Sequence, residues 1–257
     1  MPNVNGRSGH TAIVTGTSAG LGEAVARQLL ERGWRVVGIA RRTPASLTNA
    51  AYHHIAYDLA TVADDPSPLA AQLNAEVNGQ GVRRLGVVNN AAVAEGLMPV
   101  ADLDPRSLAR IYAVNVIAPV WLMGFAERAS QPETALRIVN VSSGAGGRGV
   151  PGLAAYGSAK AALRLAGMSL ASEWTAPETA ATAPQDAAIL SYEPGVVDTD
   201  MQRYARSRSP EEFPWVGLFL EYQARGVAVP AERPAHEIVE FLESDGAPRF
   251  SERRLQM

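Results

Sequence analysis

The chain has 257 residues, of which 47% are apolar, so it is long enough to bury a sizeable core without a disulfide or a structural metal. It contains no cysteine, which excludes cysteine-ligated zinc, iron–sulfur clusters, thiol nucleophiles and disulfide scaffolds. Its 23 basic and 26 acidic residues give a formal net charge of −3, which argues against a nucleic-acid binder and against a polybasic membrane anchor.

Short apolar runs alternate with longer helical stretches along the chain. The predicted strands are, in chain order, Thr11–Thr15, Arg35–Ala40, His54–Tyr57, Leu85–Asn89, Leu136–Val141 and Ala187–Tyr192. The predicted helices between them are Leu21–Arg32, Leu69–Val77, Asp104–Arg128 and Leu153–Trp174. Continuous apolar strands separated by helices are typical of a parallel sheet that is covered on both faces. The pattern therefore predicts an α/β fold with one doubly wound parallel sheet flanked by helices.

No internal repeat or linker divides the chain, so residues 1–257 are expected to form one domain. The polar, alanine-rich stretch Thr175–Gln185 is predicted to be a surface loop. The first ten residues, MPNVNGRSGH, lack the apolar stretch of a signal peptide. The longest apolar region, Ile111–Ala126, is interrupted by Asn115 and Pro119 and is too short to span a bilayer. We therefore expect a cytoplasmic protein that does not associate with membranes.

A glycine-rich turn, TGTSAGLG, follows the first predicted strand at residues 15–22. Its three glycines allow the backbone to turn sharply and to approach a pyrophosphate at the N-terminus of the next helix. The GxxxGxG spacing differs from GxGxxG, and the glutamate after the last glycine excludes a P-loop, which needs a lysine there. A glycine-rich turn without a ligand is the alternative, but the position between strand and helix favours a dinucleotide. The predicted cofactor-binding residues of the turn are Gly16, Thr17, Ser18, Gly20, Leu21 and Gly22.

Two arginines, Arg41 and Arg42, follow the second predicted strand. Dinucleotide folds that prefer NAD usually place an acid here to hold the ribose 2′-hydroxyl, whereas this strand ends in Ala40. A guanidinium group can hold a 2′-phosphate with two hydrogen bonds. We therefore predict that NADP(H) is preferred, with NAD(H) as the alternative cofactor. The competing interpretation is that both arginines are solvated loop charges.

A third motif combines Ser143, Tyr156 and Lys160. Tyr156 and Lys160 are four residues apart, so they share one face of the helix that follows the fifth predicted strand. Ser143 follows that strand, where a loop would bring its hydroxyl beside the phenol. A YxxxK pattern alone is common, but its position downstream of a strand ending in Ser-Ser and of a glycine-rich turn is much more specific.

Together, these motifs resemble the short-chain dehydrogenase/reductase family, and the resemblance covers nearly the whole chain. In this sequence they read TGTSAGLG at 15–22, DL at 58–59, NNAA at 89–92, Asn at 115, VSS ending at 143, YGSAK at 156–160 and PGVVDT at 194–199. The resemblance implies a Rossmann-like fold and an NAD(P)-dependent oxidoreductase that acts on CH–OH and C=O groups. It also implies a homodimer or homotetramer, with the helices after the fourth and fifth strands at the interface.

The resemblance further implies roles for individual residues. Ser143 would position the substrate carbonyl, Tyr156 would donate the proton, and Lys160 would tune Tyr156 and bind the nicotinamide ribose. A neighbouring ammonium stabilises a phenolate, so Lys160 is expected to lower the pKa of Tyr156. Asn115 would support a bound water in the proton relay. The other implied cofactor contacts are Asp58 and Leu59 at the adenine, Asn90, Ala91 and Ala92 along the cofactor, and Pro194, Gly195, Val197 and Thr199, the last two at the nicotinamide amide.

Within the family, the later part of the chain resembles sepiapterin reductase and the bacterial benzil reductases, chiefly through EPGVVDTDMQ at 193–202. These relatives reduce vicinal dicarbonyl or α-hydroxyketone groups on ring-bearing compounds. Residues 200–226 are predicted to form a substrate lid, in which Met201, Phe213 and Trp215 contact the substrate. The alternative is that these apolar side chains are core contacts of a helix.

The leading hypothesis is an NADPH-dependent carbonyl reductase with a small-molecule carbonyl substrate. One alternative is an NAD-dependent alcohol dehydrogenase of the same family that acts in the oxidative direction. A less favoured alternative is a non-catalytic dinucleotide sensor, because such proteins often lose the tyrosine or the lysine, and both are present here. No metal site is expected, since the four histidines lack HExxH spacing.

Overall fold

Seven parallel strands form the sheet around which the chain is built. The computed structural model describes residues 9–77 and 81–256. The first ten residues were predicted not to form a signal peptide, and residues 1–8 of this stretch lie outside the described residues. The strands are β1 (His10–Thr15), β2 (Arg35–Ala40), β3 (Tyr52–Ala56), β4 (Arg84–Asn89), β5 (Ala135–Val141), β6 (Ala187–Glu193) and β7 (Phe250–Arg254).

The strand order is β3-β2-β1-β4-β5-β6-β7, and every neighbouring pair is parallel. The chain runs outward from β1 to β3 and then returns across β1 to β4, so the direction of winding reverses between β1 and β4. In doubly wound sheets a crevice opens outside the carboxyl ends of the strands at this point. This topology confirms the predicted Rossmann-like sheet and locates its natural binding crevice.

Helices cover both faces of the sheet. They are α1 (Gly20–Glu31), α2 (Ser67–Val77), α3 (Pro105–Tyr112), α4 (Ala118–Ala129), α5 (Ala154–Glu173), α6 (Asp200–Arg206), α7 (Val216–Ala224) and α8 (Glu232–Glu243). Successive side chains of each strand point to opposite faces of the sheet. On one face, Ala12 and Val14 of β1 therefore pack in a cluster with apolar residues of α1 and α8. On the other face, Ile13 packs in a cluster with apolar residues of α2, α4 and α5.

The helix predicted from Asp104 to Arg128 is present, but it contains an irregularity. A π-helical turn, Ala113–Ile117, separates α3 from α4. Asp104 caps α3 by accepting a hydrogen bond from the backbone N–H of Ser107 at 3.0 Å. Since Asn115 lies in the π-helical turn, the break in helical geometry falls at a predicted site residue.

The apolar region Ile111–Ala126, predicted to be too short to span a bilayer, lies within a longer helical segment that Asn115 and Pro119 do not end. By length and composition, the 25 residues Pro105–Ala129 are long and apolar enough to cross a membrane, and half of the apolar window is buried inside the protein. The core helix of a globular protein meets the same criterion, so this helix is weak evidence for a membrane span.

The C-terminal strand β7 was not predicted, and its sequence FSERR explains why. Only its first residue is apolar, and its last three are exposed, since β7 is the edge strand beside β6. The third strand was predicted at His54–Tyr57, whereas β3 begins two residues earlier at Tyr52. As predicted, Thr175–Gln185 forms turns without helix or strand.

The segment predicted as a lid is an excursion whose two ends meet. Val197 pairs with Val229 in an isolated parallel bridge, and the Val229 N–H donates to the Val196 carbonyl at 2.8 Å. Between these points the chain forms α6 and α7, which contact each other. The excursion therefore leaves the sheet after β6 and returns to the same place.

Candidate active site

A groove of about 390 Å³ lies at the carboxyl ends of β1, β2 and β4, where the strand order reverses. Its volume is within the range of small-molecule and cofactor sites. The predicted cofactor residues that line it are Gly16, Ser18, Gly20, Leu21, Arg41, Arg42, Asp58, Leu59, Asn90, Ala91, Ala92 and Thr199. The predicted substrate residue Met201 lines it as well.

The glycine-rich turn needs its glycines for two different reasons. Gly16 and Gly20 have φ values of +75° and +60°, which L-amino acids with a side chain rarely adopt. A Cβ at Gly22 would instead lie 2.3 Å from the Gly16 carbonyl oxygen and 2.5 Å from Asn90 Nδ2. The first two glycines shape the turn, and the third allows α1 to pack closely against it.

Thr17 does not line the groove. Its side chain is buried, and its hydroxyl lies 2.9 Å from the hydroxyl of Tyr52 on β3. The Tyr52 side chain can pass over β2 to Thr17 because residue 38 of that strand is a glycine. A Cβ at Gly38 would lie 2.2 Å from the Tyr52 hydroxyl. Thr17 therefore anchors the glycine-rich turn to the sheet in this structure.

The NNAA segment after β4 is held directly against the strand that precedes the glycine-rich turn. The Thr15 hydroxyl accepts hydrogen bonds from the backbone N–H groups of Asn90 at 3.0 Å and Ala91 at 2.9 Å. The Asn90 side-chain amide donates to the Thr15 carbonyl at 2.9 Å. These contacts join two segments that are far apart in sequence into one wall of the groove.

Two exposed arginines and one acidic residue line the groove near the carboxyl end of β2. Arg41 and Arg42 project from the loop directly after the strand. The Asp58 carboxylate accepts a hydrogen bond from the Ala60 N–H at 3.0 Å and lies 3.5 Å from Nη2 of Arg110. Two cations therefore lie where the sequence analysis expected a 2′-phosphate.

Asn115 is fully buried, and its side-chain amide is bonded on both sides. Its oxygen accepts from the backbone N–H of Val93 and its nitrogen donates to the carbonyl of the same residue, each at 2.9 Å. Val93 lines the groove. Asn115 thus fixes the position of the groove wall from the π-helical turn.

Ser143, Tyr156 and Lys160 come together at the carboxyl end of β5. Tyr156 and Lys160 lie on α5, with Lys160 Nζ 5.6 Å from the centroid of the Tyr156 ring. Lys160 is buried and donates a hydrogen bond to the carbonyl of Val141 at 2.6 Å. The Ser143 side chain lies close enough to the Tyr156 phenol to act on the phenol's pKa. The structure therefore brings together the three residues that the sequence analysis grouped.

A close approach between a loop and a helix makes this grouping possible. The loop after Ser143 packs directly on α5, because a Cβ at Gly157 would lie 2.6 Å from the Ala145 carbonyl oxygen. Gly157 immediately follows Tyr156 in the chain. The glycine of the YGSAK motif therefore lets the serine loop reach the tyrosine.

Burial changes the pKa values of the two titratable residues in opposite directions. It raises the pKa of Tyr156 to about 12, although the nearby Ser143 side chain acts to lower it. Burial lowers the pKa of Lys160 to about 8. Lys160 was expected to lower the pKa of Tyr156, but here burial is the largest influence on the phenol and the ammonium donates to Val141.

The three residues are adjacent to the groove without being part of its wall. The carboxyl end of β5 lies beside that of β4, since Asn140 pairs with Asn89. Asn90, which follows β4, lines the groove, whereas no residue of β5 does. The serine, tyrosine and lysine are therefore displaced from the groove by one strand.

The predicted PGVVDT residues have differing positions. Thr199 lies against the glycine-rich turn, since a Cβ at Gly20 would be 3.3 Å from Thr199 Cγ2. Pro194 and Val197 are buried and Gly195 is exposed, and none of these three lines the groove. Of these four predicted residues, therefore, only Thr199 reaches the groove in this structure.

Two of the three predicted substrate residues pack in a small apolar cluster of their own. Phe213 is fully buried beside Leu97, Ala205 and Val216, and Trp215 packs on the edge of this cluster. For these two residues the arrangement matches the alternative interpretation, in which their side chains make core contacts, here with the excursion and with Leu97.

Eight residues that line the groove were not predicted as site residues. Ile39, Tyr57 and Val114 carry no motif, and they reach the groove only because β2 and its neighbours fold around it. Asp198 lies inside PGVVDT and Val93 follows NNAA directly, so including every residue of the first motif and extending the second by one residue would have found them. The full set is Ala19, Ile39, Ala40, Tyr57, Val93, Val114, Asp198 and Arg203.

Comparison with known proteins places this site in a family. The sequence model described as short chain dehydrogenase matches residues 10–210. A benzil reductase ((S)-benzoin forming) of Bacillus cereus is 29% identical over 246 residues, which are 92% of this chain and 95% of the relative.

Solved structures agree with the sequence matches. The crystal structure of the KRED1-Pglu enzyme superposes with a TM-score of 0.74 at 28% identity, covering 94% of this chain and 100% of that chain. A metagenomic short-chain oxidoreductase solved in complex with NADP has a TM-score of 0.66 at 25% identity, covering 97% and 99%. With the match over residues 10–210, these findings show that the chain belongs to the short-chain dehydrogenase family of oxidoreductases, which act on CH–OH and C=O groups.

Proposed function

We propose that the chain is an NADPH-dependent carbonyl reductase whose substrate is a ring-bearing vicinal diketone or α-hydroxyketone. The observation that carries this proposal is the grouping of Ser143, Tyr156 and Lys160 beside a groove that contains a glycine-rich turn. The similarity to a benzil reductase over 92% of the chain supports the diketone class.

The groove fits a dinucleotide on its own geometry. Gly16 and Gly20 keep side chains away from the N-terminus of α1, where a pyrophosphate is stabilised by free N–H groups. Arg41 and Arg42 would hold a 2′-phosphate, which supports NADP(H) over NAD(H). When bound, the dinucleotide supplies the hydride.

The protein's own residues would supply the proton and stabilise the developing charge. With a pKa of about 12, Tyr156 keeps its proton at neutral pH and can donate it to the alkoxide that forms from the carbonyl. Ser143 would be the second donor to that oxygen. Lys160, with a pKa of about 8, is mainly an ammonium at neutral pH and adds positive charge near the ring. We assign Asn115 the support of a relay water.

The wider organisation is part of the same proposal. Residues 1–257 would form one domain with a substrate lid at about 200–226, which the meeting of Val197 with Val229 supports.

A homodimer or homotetramer is supported by exposed apolar side chains on α4 and α5, among them Val120 and Leu165. A cytoplasmic location is compatible with a chain that has no cysteine.

The test is NADPH oxidation in the presence of benzil or phenylpropanedione. We expect turnover by the wild-type protein and a loss of about 10³-fold in Tyr156→Phe, with NADPH binding nearly unchanged, because the ring remains and only the proton-donating hydroxyl is lost. Absence of turnover with any diketone, and with a wider panel of carbonyl compounds, would refute the proposal.

Cofactor choice is tested by measuring the affinities for NADPH and NADH in the wild type and in Arg41→Ala. Tighter NADPH binding that is lost in the variant supports the assignment of Arg41 to the 2′-phosphate. Equal affinities in the wild type would instead favour an NAD-dependent alcohol dehydrogenase.

A further inference from the structure

We propose that Arg203 of α6 is a ligand of the cofactor's pyrophosphate, and that its ion pair with Asp198 gives way when the phosphates bind. The inference rests on the proposed dinucleotide function and adds a binding residue from the excursion after β6. Both residues line the groove, and neither was among the predicted cofactor contacts.

The position of Arg203 follows from its helical register. Thr199, at the N-cap of α6, lies against Gly20 of the glycine-rich turn. The Arg203 N–H donates to the Thr199 carbonyl at 3.1 Å, so Arg203 lies one helical turn later on the same side of α6. This side is the one that faces the glycine-rich turn, where the pyrophosphate would lie.

The charges around Asp198 explain why Arg203 is the residue that can change partner. Asp198 Oδ1 lies 3.8 Å from Arg203 Nη1 and 4.0 Å from Arg206 Nη2. The Arg206 side chain is 14% exposed, whereas that of Arg203 is 59% exposed and has more room to move. Arg206 therefore keeps the Asp198 carboxylate neutralised when Arg203 turns to a phosphate.

Arg203 also completes the distribution of positive charge along the groove. Among the described residues, the arginines that line it are Arg41, Arg42 and Arg203. The first two lie at the end of β2, where they would meet the 2′-phosphate, which only NADP carries. Arg203 lies across the glycine-rich turn from them, beside phosphates that NADP and NAD share. The two sites therefore predict different effects on the two cofactors.

The experiment measures Kd for NADPH and for NADH by the fluorescence of the bound nicotinamide in wild type, Arg203→Gln and Arg41→Ala. For Arg203→Gln we expect both Kd values to rise about tenfold, because one charge-assisted contact to a shared group is lost. For Arg41→Ala we expect only the Kd for NADPH to rise. The ratio of the two Kd values therefore separates the two roles.

The matched control is Arg225→Gln at the end of α7, which removes the same charge from an exposed arginine that is paired with Glu221 at 3.2 Å and does not line the groove. It should leave both Kd values unchanged. If the melting temperature shows that Arg203→Gln does not fold, Arg203→Lys is measured in its place. The Kd values for both cofactors should then rise about threefold, because an ammonium is a point charge and cannot donate two parallel hydrogen bonds as a guanidinium does.

Two results would overturn the inference while leaving the proposed function intact: unchanged Kd values in Arg203→Gln, or a rise for NADPH alone. Failure of the wild-type protein to bind either cofactor is a different result. It would refute the proposed function and, with it, the role of Arg203.

Discussion

At the scale of single residues, desolvation dominates the chemistry of the candidate site. Tyr156 and Lys160 share one helix face, and burial favours the neutral form of each. Their residue types and spacing were readable from the sequence. The direction of the phenol's pKa shift was not, because it depends on how much of the surrounding protein excludes water from it.

The lowered pKa of Lys160 predicts a pH-dependent stability. Its folded-state pKa of about 8 is below the ordinary value of 10.5, so between these pH values the unfolded chain holds a proton that the folded protein has released. Stability must then rise with pH across this window. Relative to Lys160→Met, which has no such proton, the wild type should gain about 2 kcal/mol in free energy of unfolding from pH 7 to pH 9.5.

Urea unfolding of both proteins without cofactor, at the two pH values, measures this difference. Comparing the proteins with each other cancels the titration of all groups that they share. A difference between them that stays constant with pH would contradict a depressed pKa for Lys160.

At the scale of elements, the site depends on close approaches between segments that are distant in the chain. The glycine-rich turn, α1 and the NNAA segment meet at Gly22, where neither neighbour can move away. One neighbour is the Gly16 carbonyl, which is backbone, and the other is the Asn90 side chain, which is bonded to Thr15. The turn was predicted from its glycines, but the reason for the third glycine is visible only in the packing.

Gly22→Ala should therefore damage both stability and binding. Forcing a methyl group into this contact should lower the free energy of unfolding by about 1 to 3 kcal/mol. The same displacement of the turn should raise the Kd for NADPH at least about tenfold, since the turn supplies the phosphate site. Urea unfolding and NADPH fluorescence measure the two effects.

The control for this prediction is Gly217→Ala in α7, where a Cβ would meet no atom within 4 Å. Alanine favours a helix over glycine, so stability should be unchanged or slightly higher and NADPH binding unaffected. Wild-type binding by Gly22→Ala would show that the close contact is not needed for the cofactor site.

Other elements show what local patterns miss. β7 is a polar edge strand that β6 recruits by backbone hydrogen bonds, so its side chains carry little strand signal. The π-helical turn at Asn115 left no mark in a sequence that reads as one helix. In both cases the neighbouring elements determine the backbone conformation.

At the scale of the whole molecule, an apolar surface remains uncovered on two helices that pack together. Ile117, next to α4, and Val120 within it are 43% and 38% exposed, and Leu165 on α5 is 62% exposed. Where exposed apolar side chains form a contiguous patch, they mark a surface used for association. This supports the proposed homodimer or homotetramer.

Leu165→Asp is expected to shift the protein towards the monomer, because it places a charge in an apolar contact. Sedimentation velocity of wild type and variant measures the change. The control is Val100→Asp, which alters an equally apolar side chain that is 70% exposed ahead of α3 and should leave the assembly intact. A monomeric wild type, or identical masses for wild type and Leu165→Asp, would contradict the proposed interface.

The sequence by itself determined the alternation of strands and helices, the glycine-rich turn, the serine–tyrosine–lysine pattern and the family. These are local patterns, in which residue type and spacing respond directly to backbone conformation and burial. Only the tertiary structure decided which residues meet across the chain. It turned Thr17 onto the sheet, buried Phe213 in its own cluster and set Arg203 on the groove. Such contacts depend on packing between distant segments, which no local pattern records.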